Sequence, residues 1–151
     1  MIPESKLIRS ELTIRDMALP DDILLARKSL IRWLALSFGM IMPNESRRLL
    51  LDILEALIEL HLKQEHPTTK DILLKLESNT KSKQNPKAVY YHLQRLQTHG
   101  ILSRKKGIYS IGDGEEKSLK EIFRDIYAKK ADAAFLNMDK ALEKLENSYR
   151  A

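Results

Sequence analysis

The sixteen residues Asn85 to Gly100, NPKAVYYHLQRLQTHG, leave this chain little conformational choice. Asn85 can cap a first helical turn with its side-chain oxygen, Pro86 at the first helical position gives up a donor that has no partner there, and Gly100 supplies a left-handed stop. Between those limits Val89, Leu93 and Leu96 recur at helical spacing as a narrow apolar stripe, which predicts one buried face. Lys87, Tyr90, Tyr91, Gln94 and Arg95 fall on the other face. Cations, amides and phenols are the side chains that reach phosphates and base edges.

Charge is concentrated around the same segment. From Ser78 to Gly112 there is no Asp or Glu, while Lys81, Lys83, Lys87, Arg95, Arg104, Lys105 and Lys106 give seven positive charges. The other residues carry 19 basic against 21 acidic side chains, so the whole excess of +5 comes from this stretch. A polyanion is the natural partner for such a segment, the alternative being a solvated basic face with no ligand.

With 151 residues and 43% hydrophobic side chains the chain can bury a core, as one domain or a small domain with an extension. There is no cysteine, so disulfides and thiolate metal sites are excluded and a reducing interior suits the chain. The start, MIPESKLIRSEL, lacks a signal-peptide layout. The longest apolar run, Trp33 to Met42, is interrupted by Ser37 and Gly39 and is too short to span a bilayer. The expectation is a cytoplasmic protein with no membrane partner.

Around the Asn85 helix the chain reads as follows. Leu12 and Ile14 alternate with polar neighbours, as in a short strand or an arm that packs late. Asp21 and Asp22 open a helix to about Phe38, closed by Gly39. Its apolar residues cover so much of the circumference that it is read either as buried between the domain and a second subunit or as an ordinary core helix. After Pro43 and Asn44, Glu45 to about Lys63 makes a core helix with a stripe of Leu50, Ile53, Leu54, Leu57, Ile58 and Leu60. Thr68 and Asp71 form a capping box opening a short helix through Ile72, Leu73 and Leu76. A polar loop, Ser78 to Gln84, leads into the Asn85 helix.

Past Gly100 the period drops to two. Ile101 to Ser103 and Ile108 to Ile111 are β-like, with Arg104, Lys105, Lys106 and Gly107 as the connection and Gly107 suited to a positive φ. This order of helix, helix, helix and basic hairpin resembles a winged helix-turn-helix domain. The run from Val89 to Leu96, followed by Gly100, Ile101, Leu102 and Tyr109, is similar to the recognition helix and wing of the ArsR-like and PadR-like regulators. The lack of Cys, the abundance of Ile, Leu, Lys and Glu, and the Trp33 to Arg47 segment look like the archaeal kind. The resemblance covers about residues 45 to 112. It implies that the helix enters a DNA major groove with Lys87, Tyr90, Tyr91, Gln94 and Arg95 facing bases, while Arg104, Lys105 and Lys106 sit on the backbone and Lys81 and Lys83 contact phosphates. Two departures stand out: tyrosines occupy positions where small polar or basic residues are usual, and there is no cysteine metal-sensing motif.

From about Glu115 to Tyr149 the sequence predicts a long helix, about 50 Å if unbroken. Phe123, Tyr127, Ala131, Ala134, Met138, Ala141 and Leu145 repeat by fours and threes, with Ile122, Ile126, Phe135 and Leu142 beside them. Such a seam asks for a partner, and an antiparallel or crossed pairing with a second copy is the simplest supply, the alternative being a helix that folds back or breaks near Lys129 to Asp132. Phe123, Tyr127, Ala131, Ala134, Met138, Leu142 and Leu145 are the expected dimerisation residues. His61, His66, His92 and His99 show no ligand spacing, and no glycine-rich phosphate loop, nucleophile elbow or paired-acid signature occurs.

The expected architecture is mainly α with a small β-hairpin: residues 1–43 as arm and apolar helix, 44–113 as the winged helix domain, and 114–151 as the dimerisation helix. The expected function is a homodimeric, sequence-specific double-stranded DNA-binding transcription regulator with no enzymatic activity, metal or cofactor. The competing readings are a winged-helix module that docks on another protein of the transcription machinery, and one that binds RNA.

Overall fold

The computed structural model describes residues 1–45, 47–114 and 117–150. A 3-10 turn over Pro3–Leu7 is followed by helices α1 (Asp21–Leu24), α2 (Arg27–Ser37), α3 (Arg48–Leu62), α4 (Thr69–Thr80) and α5 (Pro86–Thr98). Strands β1 (Leu102–Lys105) and β2 (Ile108–Ile111) come next, then α6 (Leu119–Arg150). The architecture among the described residues is thus mainly helical with one small antiparallel hairpin. The chain divides into two compact units, Thr13–Glu116 and Met1–Leu12 with Lys117–Ala151. Helices α1 and α2 fall in the hairpin-bearing unit, and residues 1–12 in the other.

In the larger unit the core forms where the apolar stripes of three helices meet. Ile53 and Ala56 of α3, Ile72 and Leu76 of α4, and Val89 and Leu93 of α5 are fully buried, and Tyr109 of β2 is 1% exposed. Each buried aliphatic side chain contributes about 1.5–3 kcal/mol. The capping box at α4 is present: the Asp71 amide donates to Thr68 Oγ1 at 3.3 Å and the Thr68 amide to Asp71 Oδ2 at 2.9 Å. The Asn85 cap is present too, accepting from the Lys87 amide at 2.9 Å, and Gly100 takes φ +77°.

Three boundaries differ from the sequence reading. The helix expected from Asp21 to Phe38 is broken at Leu25 and Ala26, where Ala26 is extended. Leu25 is 86% exposed and no residue of α1 is fully buried, so with little packing behind it the helix holds only a single turn there. Only Ile31, Ala35 and Ser37 of α2 are buried; Leu34 stays exposed. The helix expected from Glu45 starts at Arg48, because the Glu45 carboxylate instead accepts from the Met42 amide at 3.2 Å and from the Arg47 guanidinium; Ser46 of that expected span lies outside the described residues. Helix α4 runs on through Ser78, Asn79 and Thr80, expected as loop, and stops at Lys81 in the left-handed conformation.

The segment around Leu12 and Ile14 forms no strand. Residues 13 to 18 strap α2: Arg15 donates through its amide to Ser37 O at 2.8 Å and through Nη1 to Leu36 O at 2.6 Å and Ile41 O at 3.1 Å. Trp33 Nε1 donates to Ala18 O at 2.8 Å. Carbonyls left open at a helix end are thus answered by a guanidinium. The strap passes so close that a Cβ on Gly39 would sit 2.5 Å from the Thr13 Cβ, at φ +70°.

In the smaller unit, α6 is one unbroken helix of 32 residues, about 48 Å long. Ser118 caps it, accepting from the Glu121 amide at 3.2 Å; Glu115 and Glu116, expected in its first turn, lie outside the described residues. Every residue from Asp132 to Arg150 is exposed. No helix of the described residues is long and apolar enough to cross a membrane.

The strap at Gly39 carries a stability expectation. Gly39→Ala should destabilise the protein by about 1–3 kcal/mol, from backbone strain and the clash with Thr13. Urea unfolding reads this, and Thr13→Gly in the same background should restore the part due to the clash.

Candidate nucleic-acid interface

Helix α5 turns Val89, Leu93 and Leu96 inward, and that burial fixes which residues face out. Lys87, Tyr90, Tyr91 and Gln94 are exposed, the two tyrosines by 39% and 55%, and Arg95 is half-buried. Lys87, Tyr90, Tyr91 and Gln94 lie three or four residues apart and therefore form one row along the helix.

The hairpin begins two residues after Gly100. The register pairs Leu102 with Ile111, Arg104 with Tyr109 and Lys105 with Ile108, so the loop is only Lys106 and Gly107, at φ +52° and +79°. Two positive φ values are what a tight two-residue turn between twisted strands demands. Arg104 and Lys105, expected in the connection, are the last residues of β1. Tyr109 holds the hairpin to the body: its amide donates to Pro67 O at 2.8 Å and its hydroxyl accepts from Thr69 Oγ1 at 3.4 Å.

Arg104 joins hairpin and helix. Its Nη1 donates to Tyr90 Oη at 2.6 Å, and its guanidinium carbon lies 5.7 Å from the Tyr90 ring centre and 5.0 Å from that of Tyr109. The phenol hydrogen bond raises the Arg104 pKa further above its ordinary value. The basic strand is thereby drawn to the outward row of α5. Lys105 reaches back to Asp113 O at 3.3 Å. Lys81, Lys83, Lys87 and Lys106 are exposed and form no ion pair with a carboxylate among the described residues.

A second cluster lies at the middle of α5. The Arg95 guanidinium carbon is 5.8 Å from the Tyr91 ring centre, and Tyr91 meets His92 edge-on at 5.4 Å. Arg47, from the turn before α3, reaches the same place, close enough to Tyr91 and His92 to feel their electrostatics, and pairs with Glu45. Sequence reading missed Arg47, because a contact across 44 positions leaves no local signature. Glu45 also brings a carboxylate near Arg95, into a region acid-free along the chain; the hydrogen bond from Arg47 and the Arg47 and Arg95 charges lower its pKa.

Elsewhere on the unit, an open groove of about 660 Å³ is lined by Lys28, Arg48, Asp52, Glu55 and Glu59, among others. Glu59 is tied to Lys75 at 2.8 Å and Asn79 at 3.2 Å. Mixed charge of this kind offers no polyanion surface. Among the described residues no group of three or more His, Asp or Glu is arranged to hold a metal ion.

No family model, curated protein or solved structure matches this chain significantly.

The cluster has a pH signature. Burial lowers the His92 pKa, and Arg47 and Arg95 lower it further; its Nδ1 is buried without a hydrogen-bond partner. A histidine harder to protonate folded than unfolded stabilises the fold fully above its unfolded pKa of about 6.5, and that stabilisation is lost as pH falls toward the depressed folded value. Thermal midpoints followed by circular dichroism should drop between pH 7.5 and 5.5, and His92→Gln should flatten that dependence.

Proposed function

We propose that the chain is a winged helix-turn-helix regulator of transcription of the archaeal kind, cytoplasmic and cofactor-free, binding double-stranded DNA in a sequence-specific manner as a homodimer. Helix α5, with its Asn85 cap and His99, enters the major groove, and the hairpin over residues 101–111 lies on the sugar-phosphate backbone. The observation that carries the reading is the Arg104 bridge. It holds Lys87 and the row of amide and phenol groups on α5 against the hairpin that carries Lys106 in its two-residue turn. The exposed seam of α6 supports the homodimer, whose two recognition helices would address half-sites about 34 Å apart in a rough palindrome.

Roles divide by what each side chain is already doing. Lys81, Lys83, Lys87 and Lys106 are free to neutralise phosphates, whereas Arg104 and Lys105 chiefly set the attitude of the hairpin. Gln94 and Arg95 read bases, Gln94 through an unengaged amide. A bidentate Gln–adenine or Arg–guanine pair is worth about 1–3 kcal/mol of discrimination.

A second reading has one observation in its favour. Tyr90 and Tyr91 are exposed side by side, and exposed rings stack well on unpaired bases, as in RNA. Their engagement by Arg104, Arg95 and His92 argues for rings held as packing posts.

Selection of bound sequences from a random duplex library tests the proposal directly. A two-fold symmetric motif is expected; no enrichment over input, or preferential binding of single-stranded RNA in competition, rejects it. In gel shifts over a salt series, Lys83→Ala and Lys106→Ala should each reduce the slope of log affinity against log salt by about 0.9, with the preferred sequence unchanged. Arg95→Ala and Gln94→Ala should instead relax preference at one base pair each; an unaltered motif in both would remove α5 as the reader.

A further inference from the structure

The open half of α6 carries more information than a hydrophobic stripe. Phe135, Met138, Leu142, Leu145 and Tyr149 are all more than half exposed and follow one another at spacings of three and four, continuing from Ala131. Phe135, Leu142 and Tyr149 then occupy one heptad seam position and Ala131, Met138 and Leu145 the other. Of the residues expected to pair, Tyr127 is only 7% exposed and Ile122 beside it 5%, so these are already covered in a single chain. The face still open for a partner begins at Ala131.

The two flanks of this seam differ in sign. Beside Ala131, Met138 and Leu145, each one residue later, come Asp132, Asp139 and Glu146: an unbroken acidic row. The opposite flank begins with the small residues Ala134, Ala141 and Ser148, and beyond them stand Lys130, Asn137 and Lys144. Lys130 lies over the Tyr127 ring at 5.6 Å, and Glu146 makes one contact within its own helix, to Arg150 at 3.0 Å. In a parallel pair each flank of one helix faces the other flank of its partner, whereas in an antiparallel pair like faces like. Antiparallel pairing would set three carboxylates against three carboxylates. Parallel pairing sets the acidic row against the flank that carries Lys144, and Lys130 just ahead of the segment, across a lane of small residues that long lysine side chains can cross.

We infer that residues 131 to 149 of α6 pair in parallel and in register with the same segment of a second copy, the acidic row of each against the Lys144 flank of the other. This rests on the homodimer reading and adds orientation and register to it, in place of the antiparallel pairing that helix length alone favours. The segment spans about 27 Å, fewer than three heptads, so pairing is concentration-dependent.

The absence of cysteine permits a direct test on the full chain. Ala131→Cys and Tyr149→Cys, prepared separately and equilibrated in a glutathione redox buffer, should each give a disulfide-linked dimer. Cross-linking only in the mixture of the two variants means an antiparallel pair and overturns the inference. Asp139→Lys with Glu146→Lys should weaken the dimer at least tenfold at low salt in sedimentation, with the loss fading at high salt; a tighter dimer overturns the parallel assignment. A chain that stays monomeric at every concentration overturns pairing altogether. Gel shifts on the same samples keep the DNA reading separate: a monomer that still shifts duplex DNA leaves DNA binding standing, and a parallel dimer that shifts no duplex leaves the orientation standing without it.

Discussion

The interaction on which the larger unit depends is the burial of one narrow stripe of α5 against α3 and α4. Val89 and Leu93 have no exposed surface and Leu96 almost none, so the rotation of the helix about its axis is fixed by packing. A rotation by one residue would expose Val89 and bury Lys87 or Tyr90, and the cost of burying an unpaired ammonium exceeds any gain from a repacked tyrosine. The outward row is therefore as well determined as the core, and its chemistry can be read as that of a surface.

Hairpin orientation follows from the same logic through two tyrosines. Tyr109, buried at the centre of β2, ties the hairpin to the α3–α4 link through backbone and hydroxyl. Tyr90 ties it to α5 through Arg104. A guanidinium that stays exposed, donates to one phenol and lies 5.0 and 5.7 Å from two ring centres keeps its charge while making both contacts, which suits the planar fork of Arg better than the ammonium of Lys. The tyrosines at positions 90 and 91, unexpected for a base-reading helix, find a structural explanation here: each holds an arginine. The cations left without a carboxylate or ring partner among the described residues of this surface, Lys81, Lys83, Lys87 and Lys106, are all lysines.

Much of the fold was legible in the sequence wherever the signal was local. The caps at Asn85 and Thr68, the stripe of α5 and the period change after Gly100 all depend on residues within a few positions of one another, whereas the continuity of α6 past Lys129 to Asp132 was left open by its sequence. What escaped depended on distant partners. The break at Leu25 and Ala26 contains neither Gly nor Pro; the turn before it buries no residue fully, and Leu25 stays 86% exposed. The strap of Arg15 over the end of α2, and the approach of Glu45 and Arg47 to the middle of α5, join residues separated by 21 and more positions. The acid-free run was read correctly along the chain, yet Glu45 enters its neighbourhood from outside, so the electrostatics of the surface are less uniform than the linear pattern implied.

Orientation of α6 and geometry of an operator constrain each other. If residues 131 to 149 overlapped fully in an antiparallel pair, its centre would lie near Lys140, and each Leu119 would stand 21 residues from it, leaving the helix starts about 63 Å apart. Half-sites one helical turn apart ask for recognition helices about 34 Å from each other. A parallel pair starts both helices at the same end, roughly a helix diameter apart. The charge rows flanking the seam favour the parallel arrangement on their own, because carboxylates avoid carboxylates.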